Sequence, residues 1–226
     1  MKNGGCGNKV AHFLAPYLRQ DRFPTLWYLF QYFLGGTITK RRLVTKYYTE
    51  QKKVLEVGCS LGNISSVFTK YPKIEFLGID VDDLVVSKAR KPFKHLPNFD
   101  FQKIDLRELS AKHKTFDYIL FASVLEHVND QNVTEFLVSA DKILSKDGII
   151  VIVNPMPARM NDNFLVKISA NILEQGEYLR EINELEKIIN DAKIFTIKIL
   201  ETELVPPFIF SYPKSNRCIT IVLTRK

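Results

Sequence analysis

The sequence predicts an α/β fold in which helices cover a parallel sheet. From Lys53 onward, short β-branched runs alternate with amphipathic segments, the pattern that strand–helix–strand units leave in a chain. With 226 residues, 46% of them hydrophobic and 12% aromatic, the chain has the size of one compact domain and can bury a substantial core. Intrinsic disorder and collagen-like repetition are thereby excluded.

Taken in order, Leu26, Leu29, Phe30 and Phe33 recur at helical spacing and stop at Gly35-Gly36, so an amphipathic helix is expected to end there. A basic segment, Lys40 to Tyr48, follows, and residues 1–52 together read as an N-terminal helical cap segment. The main domain, 53–226, opens with a strand at Val54 to Val57 and a Gly-containing turn. Ile64, Val67, Phe68 and Tyr71 then share one helical face. Glu75 to Ile79 is the second strand, ending at Asp80 before a helix that carries Leu84, Val85 and Ala89 and that Pro92 is expected to terminate. Phe99 to Ile104 and Tyr118 to Phe121 supply the third and fourth strands. Val133, Phe136, Leu137, Ala140 and Leu144 form the stripe of a later helix, and Lys146-Asp147-Gly148 turns the chain into the strongest strand, Ile149 to Val153. A polar, partly helical insertion, 155–191, is expected to build part of a substrate site. Ile194 to Ile199 and Cys218 to Leu223 read as a closing antiparallel pair.

The net charge of +7 is unevenly placed: residues 1–53 hold 10 Lys/Arg against 2 Asp/Glu, and the remainder is balanced. Such a leader could attract an anionic substrate, a membrane surface or nucleic acid, or simply be a solvated positive face. Its aromatics fall on an apolar helix face and do not interleave with the cations, so no nucleic-acid partner is expected. Peripheral membrane contact through the leader stays open, while Leu26 to Leu34 is far shorter than the ~20 residues that span a bilayer. Cys6, Cys59 and Cys218 are odd in number and scattered, which fits neither a disulfide framework nor a zinc site. The start of the chain lacks the order of a signal peptide, and a reduced, cytoplasmic protein without a metal is expected.

The sharpest chemical signal is Glu56-Val57-Gly58-Cys59-Ser60-Leu61-Gly62-Asn63, where a buried strand gives way to a helix. Glycines there let backbone approach a ligand, and a helix N-terminus offers unpaired N–H groups, so a nucleotide-like occupant is expected. Ser60 and Asn63 occupy the third and sixth positions where a dinucleotide loop wants glycine, which argues against NAD. Asp80 ends the second strand at the distance where an acid meets a ribose in such folds.

On these residues the chain resembles the class I S-adenosylmethionine (SAM)-dependent methyltransferases, whose first motif is an acid followed by Gly-x-Gly-x-Gly. Glu56, Gly58 and Gly62 match, with Ser60 at the middle glycine. The resemblance extends through Phe116 to Val128, similar to the fourth-strand motif of the quinone-biosynthesis type, and Leu144-Ser145-Lys146-Asp147-Gly148, similar to a Lys-Pro-Gly-Gly turn. It implies a Rossmann-like, seven-stranded, mostly parallel sheet with helices on both faces and an antiparallel last strand. SAM is the implied cofactor and a small molecule the acceptor. By the same resemblance Asp80 binds the ribose, Val81 lies near the adenine and Asp105, beside Leu106, reaches the adenine amino group. Glu56, Gly58, Cys59, Ser60, Gly62, Ala122 and Ser123 are the remaining cofactor-site candidates. In the leader, Lys40 or Arg41 could approach the SAM carboxylate and Tyr32 could line the acceptor pocket.

A hydroxyl acceptor must also lose a proton, and His127, just past the fourth strand, is the best-placed general base. Glu126 is the alternative pocket-facing residue, and a helix-end histidine bonded to backbone is the plainer reading of His127. Two rivals remain in view. The same motifs would serve a SAM-binding or interaction protein without catalysis. Gly58-Cys59-Ser60-Leu61-Gly62 also fits the Gly-x-Ser-x-Gly elbow of serine hydrolases, but that fold needs a histidine downstream of both serine and acid, and none follows His127. The sequence leaves the acceptor, the methylated atom and the oligomeric state open.

Overall fold

The β-branched runs become seven strands: β1 (Lys53–Val57), β2 (Glu75–Asp80), β3 (Phe99–Lys103), β4 (Phe116–Ala122), β5 (Leu144–Pro155), β6 (Phe195–Val205) and β7 (Asn216–Arg225). The structure is a computed structural model that describes Leu29 and residues 36–112, 114–163, 166–167, 176–205 and 216–226. One sheet holds all seven strands in the order β3-β2-β1-β4-β5-β7-β6. β1 to β5 pair in parallel, and β7 runs antiparallel between β5 and β6. The strand order reverses between β1 and β4, where open α/β sheets place their ligands.

Helices cover both faces. On one lie α1 (Gly36–Lys46) and α2 (Asp83–Phe93); on the other lie the short α3 (Leu106–Ser110), α4 (Asp130–Ile143) and α5 (Ile182–Ala192). Along β1, Leu55 and Val57 join the α4 side of the core while Val54 joins the α1 side, the period-2 alternation of a strand buried on both faces. α4 buries Val133, Phe136, Leu137, Ala140 and Ile143. Asn129 caps it, its side chain accepting the N–H of Asn132.

Several local expectations are corrected. Within the segment read as a helical cap, the basic stretch after Gly35-Gly36 is helix α1, which begins at Gly36 and buries Leu43 and Val44. Pro92 lies inside α2, which runs one residue further, to Phe93, whose ring is buried in the core. α2 packs through Val86, Ala89 and Phe93, leaving Leu84 exposed. The face of Ile64, Val67 and Phe68 belongs to a 3₁₀ turn, Ser65–Lys70, and not to a full α-helix. β5 begins five residues early, at Leu144, across an irregular register with β4 between Phe116 and Tyr118. The insertion is less separate than its polarity suggests: its last third is α5, whose Leu185 and Ile189 are core residues.

α1 is fastened along the sheet. The Tyr118 hydroxyl donates to the Val44 carbonyl, and Lys46 and the Tyr47 hydroxyl both reach the Glu201 carboxylate on β6, at 2.5 and 2.8 Å. The helix expected over Leu26 to Phe33 falls, apart from Leu29, outside the described residues, as do Tyr32, Cys6 and His113. Among the described residues no helix is long and apolar enough to cross a membrane.

Candidate active site

The chain leaves β1 at the reversal of strand order and folds back over the end of β2. Cys59 N–H donates to the Ile79 carbonyl and Ser60 N–H to Asp80 Oδ2, both at 2.9 Å. Gly62 N–H then closes the turn on the Cys59 carbonyl at 2.9 Å. This path needs three left-handed residues: Gly58 (φ 67°), Ser60 (φ 48°) and Gly62 (φ 76°). At Gly58 a side chain is also excluded by contact, since a Cβ would sit 2.7 Å from Val124 Cγ2, on the loop after β4. The two loops that flank the reversal therefore touch. Ser60 takes the middle-glycine conformation at the cost an L-residue incurs there, about 1–2 kcal/mol.

Three carboxylates stand around this loop in different environments. Glu56, on β1, is 2% exposed and accepts a hydrogen bond from the Ser65 hydroxyl, so it ties the strand to the 3₁₀ turn beneath the loop. Burial, with the neighbouring Asp80 charge, pushes its carboxyl up to about 8, so it is protonated near neutral pH. Asp80, at the tip of β2, accepts the Ser60 N–H on Oδ2 and the Asp82 N–H on Oδ1, at 2.9 and 3.0 Å. Each oxygen keeps a lone pair for a further donor, and the next residue, Val81, is an apolar side chain left 65% exposed. Asp105 caps α3 and is held by Arg107 Nε and Nη2 at 2.8 and 2.9 Å, which keeps it below the usual carboxylate range. Leu106 beside it is buried in the core. Cys59 is buried too, and burial pushes its thiol far above the ordinary value, so this sulfur is unreactive.

At the end of β4, Ala122 is buried and Ser123 turns left-handed (φ 58°), its N–H donating to the Val153 carbonyl at 2.9 Å. A 3₁₀ turn, Leu125–His127, follows. It separates the two candidate bases: Glu126 is 1% exposed, whereas the His127 side chain is 56% exposed, with Nε2 3.9 Å from Glu126 Oε1. Desolvation and then the Lys40 ammonium hold His127 below the ordinary histidine range, so its ring is neutral near pH 7 and able to accept a proton. Lys40 reaches this corner from α1, where it is 6% exposed. Its neighbour Arg41 donates Nε–H to the Asn63 carbonyl, on the β1 loop, at 2.9 Å. The structure thus brings the two leader cations to opposite sides of the strand reversal.

Arg180 is a residue that pattern reading of the sequence does not single out. Nearly buried, it donates to the carbonyls of Leu125 and Val128 at 2.6 and 2.7 Å and to Asp130 at 2.8 Å. Tyr178 N–H donates to the Glu126 carbonyl at 2.9 Å, and a Cβ on Gly176 would lie 2.5 Å from Glu126 Cβ. Residues 176–180 therefore clamp the turn that carries Glu126 and His127. The only sequence signal was an arginine in a polar insertion. The elbow reading of Ser60 lacks its triad, since no histidine follows His127. Among the described residues no group of three or more His, Cys, Asp or Glu side chains could hold a metal ion.

Comparison with known proteins agrees with this geometry. Residues 54–148 match the family model described as a methyltransferase domain. Myricetin 3-O-methyltransferase 3 of Solanum habrochaites is 25% identical over 171 residues, 71% of this chain and 45% of that protein. The chain spans less than half the length of the curated relatives it matches. A protein from Pyrococcus horikoshii OT3 superposes with a TM-score of 0.64 at 19% identity, over 85% of this chain and 90% of that one. Magnesium protoporphyrin IX methyltransferase from Synechocystis PCC 6803, a structure with bound S-adenosylhomocysteine (SAH), gives 0.62 at 15% identity over 85% and 84%.

Proposed function

From a methyltransferase domain over residues 54–148, built on the class I fold, we propose that the chain binds SAM at the β1–β4 reversal and transfers its methyl group to a small-molecule acceptor. The observation that carries this reading is Asp80. Two backbone N–H groups fix its carboxylate at the end of β2, aimed as a pair of acceptors suited to a ribose diol, with exposed Val81 beside it for an adenine face. The left-handed glycines of the loop let it pack closely on Val124 and Phe93, which fixes its backbone beside Asp80. Asp105 retains lone pairs for an amino group despite its pairing with Arg107. The donor set therefore fits the cofactor.

SAM, when bound, supplies a methyl carbon made electrophilic by its sulfonium. The chain's own work is to orient the acceptor, exclude water and, for a hydroxyl acceptor, take up a proton. Neutral, half-exposed His127 takes that proton at its ring nitrogen, and buried Glu126 beside it steadies the ring. Lys40 and Arg41 supply positive charge for the carboxylate of the cofactor's amino-acid end. Residues 1–52 act as the cap, and 155–191 furnish the acceptor side, a division supported by the contacts of α1 with the β1 loop and of residues 176–180 with Glu126. A reducing, cytoplasmic setting is supported by Cys59, a buried thiol. Calorimetry with SAM, followed by label transfer from methyl-labelled SAM to a panel of phenols, catechols, amines and thiols, tests the function. Binding and transfer are expected. Heat with SAM but no transfer to any acceptor would make this a binding module, and stabilisation by NAD alone would overturn the assignment.

A further inference from the structure

At the carboxyl end of β5, Asn154 is fully enclosed, and among the described residues nothing hydrogen-bonds to its amide nitrogen or its amide oxygen. Buried amides without partners are few in native proteins, and each needs a reason. Asn154 follows Val153, which pairs in register with Ala122 and accepts the N–H of Ser123. Ser123 therefore occupies the next rung of β4, and its hydroxyl oxygen is likewise enclosed without a partner. It also adopts a left-handed backbone conformation that a serine enters only under constraint. By strand alternation Asn154 shares the face of Ile150 and Ile152, the side on which Leu125 and Met156 close the core. Two orphaned polar groups thus stand at neighbouring strand ends, Asn154 in the last residues of β5 and Ser123 just past β4, ahead of the turn that carries Glu126 and His127.

We propose that Asn154, with Ser123, is an acceptor-binding residue that takes a neutral hydroxyl group of the methyl acceptor. The inference rests on the methyltransferase reading and adds to it the chemical class of the ligand. An amide offers donors and an acceptor together, and a hydroxyl does the same, so a ligand hydroxyl satisfies both atoms of Asn154 at once. A carboxylate would satisfy only the N–H groups and bring its charge against the amide oxygen.

The test uses the full chain saturated with SAH, with catechol and benzoate as probes and calorimetry as the readout, on the parent and on N154L and S123A. SAH is titrated first: a parent that does not bind it overturns the methyltransferase reading and the inference with it. Given SAH binding, catechol affinity is expected to fall about five- to ten-fold in N154L and about three-fold in S123A, the scale of lost hydrogen bonds. SAH affinity should change less than about two-fold in N154L, and benzoate should bind the parent more weakly than catechol. Ligand-free N154L is expected to melt roughly 2–4 °C higher than the parent, because leucine of similar shape removes the unpaired amide. A lower melting point in N154L, equal catechol affinity in all three proteins, or no catechol binding by the parent would each overturn the inference while leaving SAM binding intact.

Discussion

Glu56→Gln isolates a charge that the fold disfavours. Glu56 is 2% exposed, and its carboxyl titrates at about 8 in the folded chain against an ordinary 4.5. A carboxyl whose folded pKa lies above its unfolded one binds more protons when folded. Its contribution to stability is therefore complete below the unfolded value of 4.5, declines as pH rises, and levels off above about 8. Each pH step in that window removes about 1.4 kcal/mol, which makes the deficit near pH 7 about 3 kcal/mol. Glutamine is neutral at every pH, and its carbonyl can still accept from Ser65. Urea unfolding of ligand-free parent and variant at a series of pH values gives the difference curve. It should lie near zero around pH 4.5, favour the variant by about 3 kcal/mol near pH 7, and flatten above pH 8. A curve that is level between pH 5 and 8, or that favours the parent at pH 7, would show that Glu56 is ionised when folded and refute the reasoning.

Asp80→Asn should weaken SAM about 10–100-fold by calorimetry, the scale of charge-assisted bonds to a diol, and lower the melting point by a few degrees, because its amide nitrogen cannot accept one of the two backbone N–H groups; parent-like affinity would remove Asp80 from the cofactor site. Ser60→Gly relieves a left-handed serine and should stabilise the chain by up to about 1 kcal/mol after the entropy of glycine is subtracted, as thermal unfolding would show; a loss would mean that the side chain contributes more than its strain. Arg180→Met leaves the Leu125 and Val128 carbonyls without their donors and should cost about 3 kcal/mol or more in urea unfolding, lowering methyl transfer more than SAM affinity. For a hydroxyl acceptor, the acidic limb of the pH–rate profile should fall below the ordinary histidine value of about 6.5 and disappear in His127→Gln. An unchanged limb in that variant would exclude His127 as base.

The sheet was legible because its strands are buried on both faces and read as apolar runs between glycines and acids. Val54 to Val57, Glu75 to Ile79 and Ile149 to Val153 all fall within observed strands. The closing pair also formed as read, with Ile197 opposite Leu223. Helix ends were less legible. Gly36 resembles a stop signal yet starts α1, Pro92 sits one residue inside α2, and α3, with 5 residues, is too short to show a period. Within the site, residues contiguous with the glycine loop could be found from spacing. Arg180 could not, because only the tertiary fold returns it to residues 125–130, 50 or more positions away. Asn154 was visible merely as part of an Asn-Pro dipeptide, since burial without a partner is a property of three dimensions.

The placement of β7 inside the sheet has a consequence for how the molecule is made. Among the described residues β6 pairs with β7 alone, and β7 is built from residues 216–225, so neither can join the sheet until those residues have left the ribosome. Until then the outer margin of β5, from Ile150 to Pro155, is a bare row of amides and carbonyls flanked by isoleucine and valine, open to any passing strand. Synthesis should therefore favour a waiting interval in which chaperones guard that margin, and a nascent chain halted before Asn216 should aggregate through it.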